Sequence, residues 1–186
     1  MNVVFDPSQL VFHGTIDLYA NIIEKRGMKL INRKKRGVDF GPGFYLSVGI
    51  EQQALEMALQ RKEVPRYYSE ALEPEGITYN DFRGLRDSVR PAIMMYRIRD
   101  IGTWQQLRHK VFLEDDLDWK RYVWKCRHDG NIPIESYDWV FGPVADGGYD
   151  SVAPELIKDA KDGYNQISIH NQETYELLEL LEVRTW

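Results

Sequence analysis

The chain has 186 residues, enough for one well-buried core and cramped for two full domains. Hydrophobic residues at 43% and aromatics at 12% exclude a disordered chain, and a formal charge of −5 excludes general nucleic-acid affinity while leaving room for a local basic patch. Cys126 is the only cysteine, so an internal disulfide and a Cys-based zinc site are excluded, and no apolar run approaches the roughly 20 residues of a membrane span. With no signal-peptide pattern at the N-terminus, the expectation is a single cytoplasmic domain over residues 1–186 that keeps away from membranes.

In chain order, Gln9–His13 reads as a short strand ending at Gly14, and Thr15 or Asp17 is placed to cap a helix running to about Arg26. Tyr19, Ile22 and Ile23 form its apolar stripe, and Gly27 stands where a left-handed C-terminal cap belongs. Met28–Ile31 suggests a short strand, and Arg33-Lys34-Lys35-Arg36 a basic loop. Asp39-Phe40-Gly41-Pro42-Gly43 then predicts a constrained turn, because glycine supplies unusual dihedrals and proline fixes one. The turn launches a strand over Phe44–Ser47, whose alternation sends Phe44 and Leu46 to the core and Tyr45 and Ser47 to the other face.

A second helix is expected over Ile50–Lys62, an irregular insertion with short helical turns over Val64–Pro91, and a strand over Ala92–Ile98. Glu114–His128 predicts a third helix with Trp119, Tyr122, Val123 and Cys126 on its apolar face, acids at its start and bases at its end. Tyr137–Phe141 reads as a strand broken by Gly142-Pro143, and Pro154 opens a helix to about Lys161. Gln166–His170 alternates as a strand with Ile167 and Ile169 inward, and a last helix is expected over Gln172–Glu182. Strands and helices are interspersed without the beat of a parallel βαβ sheet, which predicts an α+β architecture.

Single motifs carry little chemistry. Gly41-Pro42-Gly43 is followed by a strand, not by the helix a dinucleotide loop requires, and Asp39-Phe40-Gly41 lacks every other element of a kinase. The four histidines show no metal-ligand spacing, so no metal is expected. Taken alone, His13 reads as a hydrogen-bonded turn residue, Tyr45 as core or rim, and Gln166 as an ordinary strand residue.

Together and in order they mean more. His13-Gly14-Thr15 before an amphipathic helix, Gly43-Phe44-Tyr45-Leu46-Ser47 before a helix with Gln-Ala, and Asn165-Gln166-Ile167-Ser168-Ile169-His170 near the C-terminus resemble the histidine–tyrosine type of ADP-ribosyltransferase. The resemblance is closest to a bacterial domain family of unknown function with the same H-G-T, D-F-G-x-G-F-Y and Q-I segments, and Asp138–Asp146 is similar to that family's later strand.

The resemblance implies a split antiparallel sheet holding NAD, as substrate, in a central cleft. It implies that His13 bonds the adenosine ribose, that the Gly14 backbone holds the nicotinamide amide, and that Tyr45 stacks on the nicotinamide ring. Thr15 and Ser47 join the NAD-contacting set, and Gln166 takes the place of a catalytic glutamate. The implied function is transfer of ADP-ribose from NAD to a macromolecular acceptor, protein or nucleic acid, with release of nicotinamide. The rivals are a non-catalytic binding module and an NAD glycohydrolase.

Residue chemistry agrees: neutral imidazole offers a donor and an acceptor to a ribose diol, and a tyrosine face suits a cationic aromatic ring. Glutamine at position 166 keeps the hydrogen bond to a ribose hydroxyl and loses the charge. A neutral bond is worth about 0.5–1.5 kcal/mol and a charged one about 1.5–3 kcal/mol. The shortfall is roughly 1–2 kcal/mol, on the order of tenfold in rate. Tyr164, two positions upstream, stands where arginine-modifying members carry a second glutamate, so arginine is not the expected acceptor. Arg33–Arg36 reads as a solvated loop, with pyrophosphate or acceptor contact as the alternative, and Asp39, Asp146 and His170 read as structural.

Overall fold

The apolar-rich segments of this chain pair into one sheet because each carries alternating or continuous apolar residues that need burial on one or both faces. The computed structural model describes residues 5–28, 38–63, 72–85, 87–128, 137–147 and 151–186. The strands are β1 (Val11–Ile16), β2 (Phe44–Val48), β3 (Pro91–Ile98), β4 (His109–Val111), β5 (Trp139–Ala145), β6 (Ala160–Ile169) and β7 (Leu178–Thr185). They lie in the order β4-β5-β6-β2-β1-β3-β7, all neighbours antiparallel except the parallel pair β4–β5. Six helices accompany this mixed sheet among the described residues: α1 (Asp17–Arg26), α2 (Glu51–Glu63), α3 (Tyr79–Leu85), α4 (Ile101–Gln106), α5 (Leu117–His128) and α6 (Gln172–Glu176). The architecture is α+β.

The main core lies on one face of the sheet. There Phe44, Leu46, Met94, Tyr96, Phe141, Ile167 and Ile169 pack with Ala20 of α1 and Trp104 of α4. Two smaller clusters cover the other face. Phe12 and Ile93 meet Ala54 of α2, while Val140 meets Trp119 and Val123 of α5, together with Phe40 and Phe112. The strand register puts Tyr45, Ser47, Gln166 and Ser168 on this second face, on the two strands between those clusters.

Several boundaries differ from the sequence reading, each for a local reason. β1 runs into α1 without a loop, so Thr15 is a buried strand residue and Ile16 holds the N-cap position with no side-chain cap. Asp17 accepts the neighbouring Leu18 N–H at 2.8 Å instead of capping from outside the helix. β5 continues through Gly142 and Pro143, and the missing proline donor is absorbed by a register shift between Pro143 and Ala145. After a single 3₁₀ turn at Pro154–Leu156, β6 starts at Ala160, well before Gln166.

The last expected helix stops at Glu176, and the leucine-rich segment after it is edge strand β7. The run Leu177–Leu181 suits either period, and a seven-pair ladder with β3 decides it, helped by an Arg97–Glu179 ion pair at 2.7 Å. α4 and β4 are additional to the elements expected from sequence; Asp100 caps α4 by accepting Thr103 N–H at 3.0 Å. The basic run Arg33–Arg36, and residues 29–31 of the expected Met28–Ile31 strand, lie outside the described residues.

Candidate functional site

The sheet opens where the sequence motifs meet. β1 and β2 pair only at Val11–Val48 and Phe12–Ser47, yet β1 stays on β3 as far as Ile16 and β2 stays on β6 back to Phe44. Beyond Phe12 and Ser47 the two strands therefore part company. A ladder that stops this early leaves backbone groups of both strands without ladder partners, which calls for side chains or a ligand to satisfy them.

His13 stands at this fork. Its Nδ1–H donates to the Tyr45 carbonyl at 2.8 Å, spanning the gap, and its ring stacks on Phe44 with centroids 4.2 Å apart. A carbonyl only accepts, so Nδ1 carries the proton and Nε2 presents a lone pair, with no hydrogen-bond partner among the described residues. Burial, then the nearby Arg61 charge, pushes the His13 pKa down to about 3 against the opposing pull of the Tyr45 carbonyl. The imidazole is neutral at physiological pH.

Tyr45 is half-buried against the Phe40 cluster. Its hydroxyl donates to Gly41 O at 2.7 Å and accepts Phe40 N–H at 2.9 Å, closing the turn that the sequence marks with Gly41-Pro42-Gly43. Gly41 has φ 82°, a conformation only glycine adopts readily. A Cβ added at Gly43 would overlap the Ser168 hydroxyl, so the turn lies directly on β6. Ser168 in turn donates to His170 Nε2 at 2.9 Å, and His170 Nδ1–H donates to Tyr137 O at 3.2 Å. Burial lowers the His170 pKa to about 4 and raises that of Tyr45 well above its ordinary value.

Gln166 pairs with Ser47 across β2 and with Gly142 across β5. Its Nε2 donates to Asp39 Oδ2 at 2.8 Å, and Ala145 N donates to the same oxygen at 3.0 Å. Asp39 Oδ1 accepts Arg127 Nη2 at 2.6 Å and Nε at 3.1 Å, and Arg127 also donates to Gly147 O. This ion pair is buried, with side-chain exposures of 1% for Arg127 and 9% for Asp39. A carboxylate accepts only, so the Gln166 amide has one orientation: NH₂ toward Asp39 and Oε1 away from it.

The site residues expected from sequence divide accordingly. Tyr45, Ser47 and Gln166 share a face, while the register places His13 on the opposite one, beside Leu46 and Phe44. A flat cleft lined from one side by His13, Tyr45 and Gln166 is therefore not formed, since successive strand residues alternate faces. His13 and Tyr45 are joined across the fork through the Tyr45 backbone, while Gln166 lies on β6 opposite Ser47, where the fork begins. Gly14 turns its α-carbon to α2, where a Cβ would overlap the Ala54 carbonyl. Ser47 Oγ donates to Phe12 O at 3.2 Å on the last rung before the fork, and Thr15 is buried in β1.

Helix α2, which packs on β1, β2 and β3, carries two further polar side chains. Gln53 is buried, and its Oε1 has no hydrogen-bond partner among the described residues. Glu56 accepts Tyr164 Oη at 2.6 Å and Lys161 Nζ at 2.7 Å, so a carboxylate does stand beside Tyr164, delivered from another element. An open cavity of about 380 Å³ lies along this end of β6, lined by Leu113, Glu114, Pro143, Lys161, Tyr164 and Asn165. A Gln three residues into a helix after the Tyr45 strand was visible in sequence; the Glu56–Tyr164 contact spans 108 residues and was not.

No helix among the described residues is long and apolar enough to cross a membrane. Searches of the curated proteins and of the solved structures found no significant match. One family model does match, over residues 10–180, from just before β1 into the start of β7. With nearly the whole fold inside that match, the chain belongs to the family described as protein of unknown function DUF3990.

Proposed function

We propose that this protein is an NAD-dependent ADP-ribosyltransferase, with the fork between β1 and β2 as its NAD site and an α+β fold of the ADP-ribosyltransferase type. The observation that carries the reading is the His13 Nδ1–Tyr45 carbonyl bond across the fork, with a neutral His13 on one face of the sheet and, on the other, the Tyr45 turn and a Gln166 amide oriented by Asp39. His13 Nε2 accepts a ribose hydroxyl, and the Tyr45 ring, held rigid by its hydroxyl, stacks on nicotinamide. Gln53 Oε1 is an unused acceptor that suits the carboxamide NH₂.

In the reaction the bond between nicotinamide and the ribose anomeric carbon breaks, and nicotinamide leaves with the bonding electrons. The sugar develops oxocarbenium character, and Gln166 Oε1 accepts the 2′-hydroxyl proton more strongly as it does so. An acceptor nucleophile then bonds the anomeric carbon and loses its proton to solvent. The cavity lined by Tyr164 and Asn165, the β6 residues that precede Gln166, gives such an acceptor room.

The neutral amide at Gln166 also favours a second reading, a module of the same fold that binds NAD or ADP-ribose without turnover. Incubation with NAD separates the two. The transferase releases nicotinamide and labels a macromolecule in cell lysate, whereas the module shows a thermal shift with NAD and no release. Nicotinamide release with free ADP-ribose as the sole other product would make water the acceptor.

A further inference from the structure

The carboxylate that position 166 lacks sits one hydrogen bond behind it. Asp39 Oδ2 receives both Gln166 Nε2 and Ala145 N, while Oδ1 is taken by Arg127. Four donors from three other segments of the chain thus meet one buried carboxylate, which belongs to the turn immediately before Tyr45. An ion pair this deep is costly to desolvate, and hydrogen bonds to all its remaining sites are what make it tolerable.

We propose that Asp39 is the positioning residue of the site: it selects the orientation of the Gln166 amide and polarises it, so that Oε1 faces the reacting sugar. This inference rests on the NAD reading above. It also explains why the chain carries glutamine and not glutamate at this position. A carboxylate at 166 would stand about 2.8 Å from Asp39 Oδ2, and two carboxylates at that distance cannot both stay charged. Asp39 therefore makes glutamine the compatible residue, and Gln166→Glu alone does not restore a glutamate-type site.

The substitution Asp39→Asn has a definite consequence. Arg127 still requires an oxygen, so the new amide turns its oxygen to Arg127 and its NH₂ toward Gln166 and Ala145. Gln166 must then flip, offering NH₂ where it offered Oε1. In the double variant Asp39→Asn with Gln166→Glu, the new carboxylate accepts from that NH₂ and again presents an oxygen to the sugar. Ala145 N–H loses its acceptor whenever Asp39 is replaced, so that cost is common to the single and double variants and cancels between them.

The test uses the full chain and two measurements. Without NAD, nitrogen-edited NMR follows the Gln166 side-chain NH₂ protons, which should exchange slowly and be shifted by the carboxylate in wild type and lose both properties in Asp39→Asn. With NAD, nicotinamide release should fall about tenfold or more in kcat in each single variant, with KM within about threefold. The double variant should recover to above both singles. Slow, carboxylate-shifted exchange that persists in Asp39→Asn, or a double variant no better than the product of its singles, overturns the proposal. If wild type releases no nicotinamide, the NAD-turnover reading fails by itself, and the NMR measurement still decides whether Asp39 orients Gln166.

Discussion

The Tyr45 hydroxyl donates to the carbonyl of Gly41, four residues upstream, at 2.7 Å, and accepts the Phe40 N–H at 2.9 Å. The hydroxyl thus fixes the turn that carries Asp39, and the ring is placed by its own backbone strand. Tyr45→Phe strands a buried Phe40 N–H and should cost about 1–3 kcal/mol of stability. Tyr45→Ala should cost more, about 3–5 kcal/mol, because the ring's packing is lost as well. Chemical denaturation of the three proteins checks this. Stability in Tyr45→Phe equal to wild type would mean that the turn holds without the hydroxyl.

Buried His13 and half-buried His170 make the fold acid-sensitive. His13 and His170 have pKa values pushed down to about 3 and about 4, against an ordinary value near 6.5. Depressed values in the folded state mean that the unfolded chain binds protons more readily, so stability is fully present above about pH 6.5 and is lost as pH falls toward the folded values. Each histidine contributes a slope of about 1.4 kcal/mol per pH unit across that window. The melting temperature should drop steeply between pH 6.5 and pH 4.5, and a His13→Gln, His170→Gln double variant should show a shallower drop. A flat profile in wild type over that range contradicts the burial argument.

Gly14 is needed for packing whether or not NAD binds. Its α-carbon lies under the Ala54 carbonyl of α2, and a methyl there forces the helix off the sheet. Gly14→Ala should therefore lower stability by about 1–3 kcal/mol in the absence of any ligand. Circular dichroism melts would show it, and an unshifted melt would mean that α2 gives way without strain.

Gln53 separates stability from binding. A buried acceptor without a partner is unfavourable in the free protein, so Gln53→Leu should raise stability by roughly 1 kcal/mol. If Oε1 is the carboxamide acceptor, the same change should weaken NAD binding by about fivefold to tenfold. Calorimetric titration with NAD beside a denaturation curve measures both. A variant that gains stability and keeps full NAD affinity would remove Gln53 from the site.

What the sequence made legible was local. The Gly41-Pro42-Gly43 turn, the strand at Tyr45 and the helix after it follow from glycine, proline and alternation within about 20 residues. The α+β class followed from the order of such segments. Long-range pairing was not legible: Leu177–Leu181 fits a helix as well as a strand, and only the β3 ladder makes it β7. For the same reason Asp39 read as merely structural and Gln166 as outward-facing. Their partners, Arg127 and each other, lie 88 and 127 residues away, and no spacing rule reaches that far. The opposite facing of His13 and Gln166 likewise depends on the register of three strands, which a single strand's alternation does not set.

The measurement that bears most directly on the central claim is nicotinamide release from millimolar NAD by the full chain, followed over time and compared with Gln166→Ala. The account predicts steady release by wild type and a turnover lower by about tenfold or more in Gln166→Ala, with a smaller change in NAD affinity. Equal rates in the two proteins, or no release by wild type together with a melting point that NAD leaves unmoved, would contradict it.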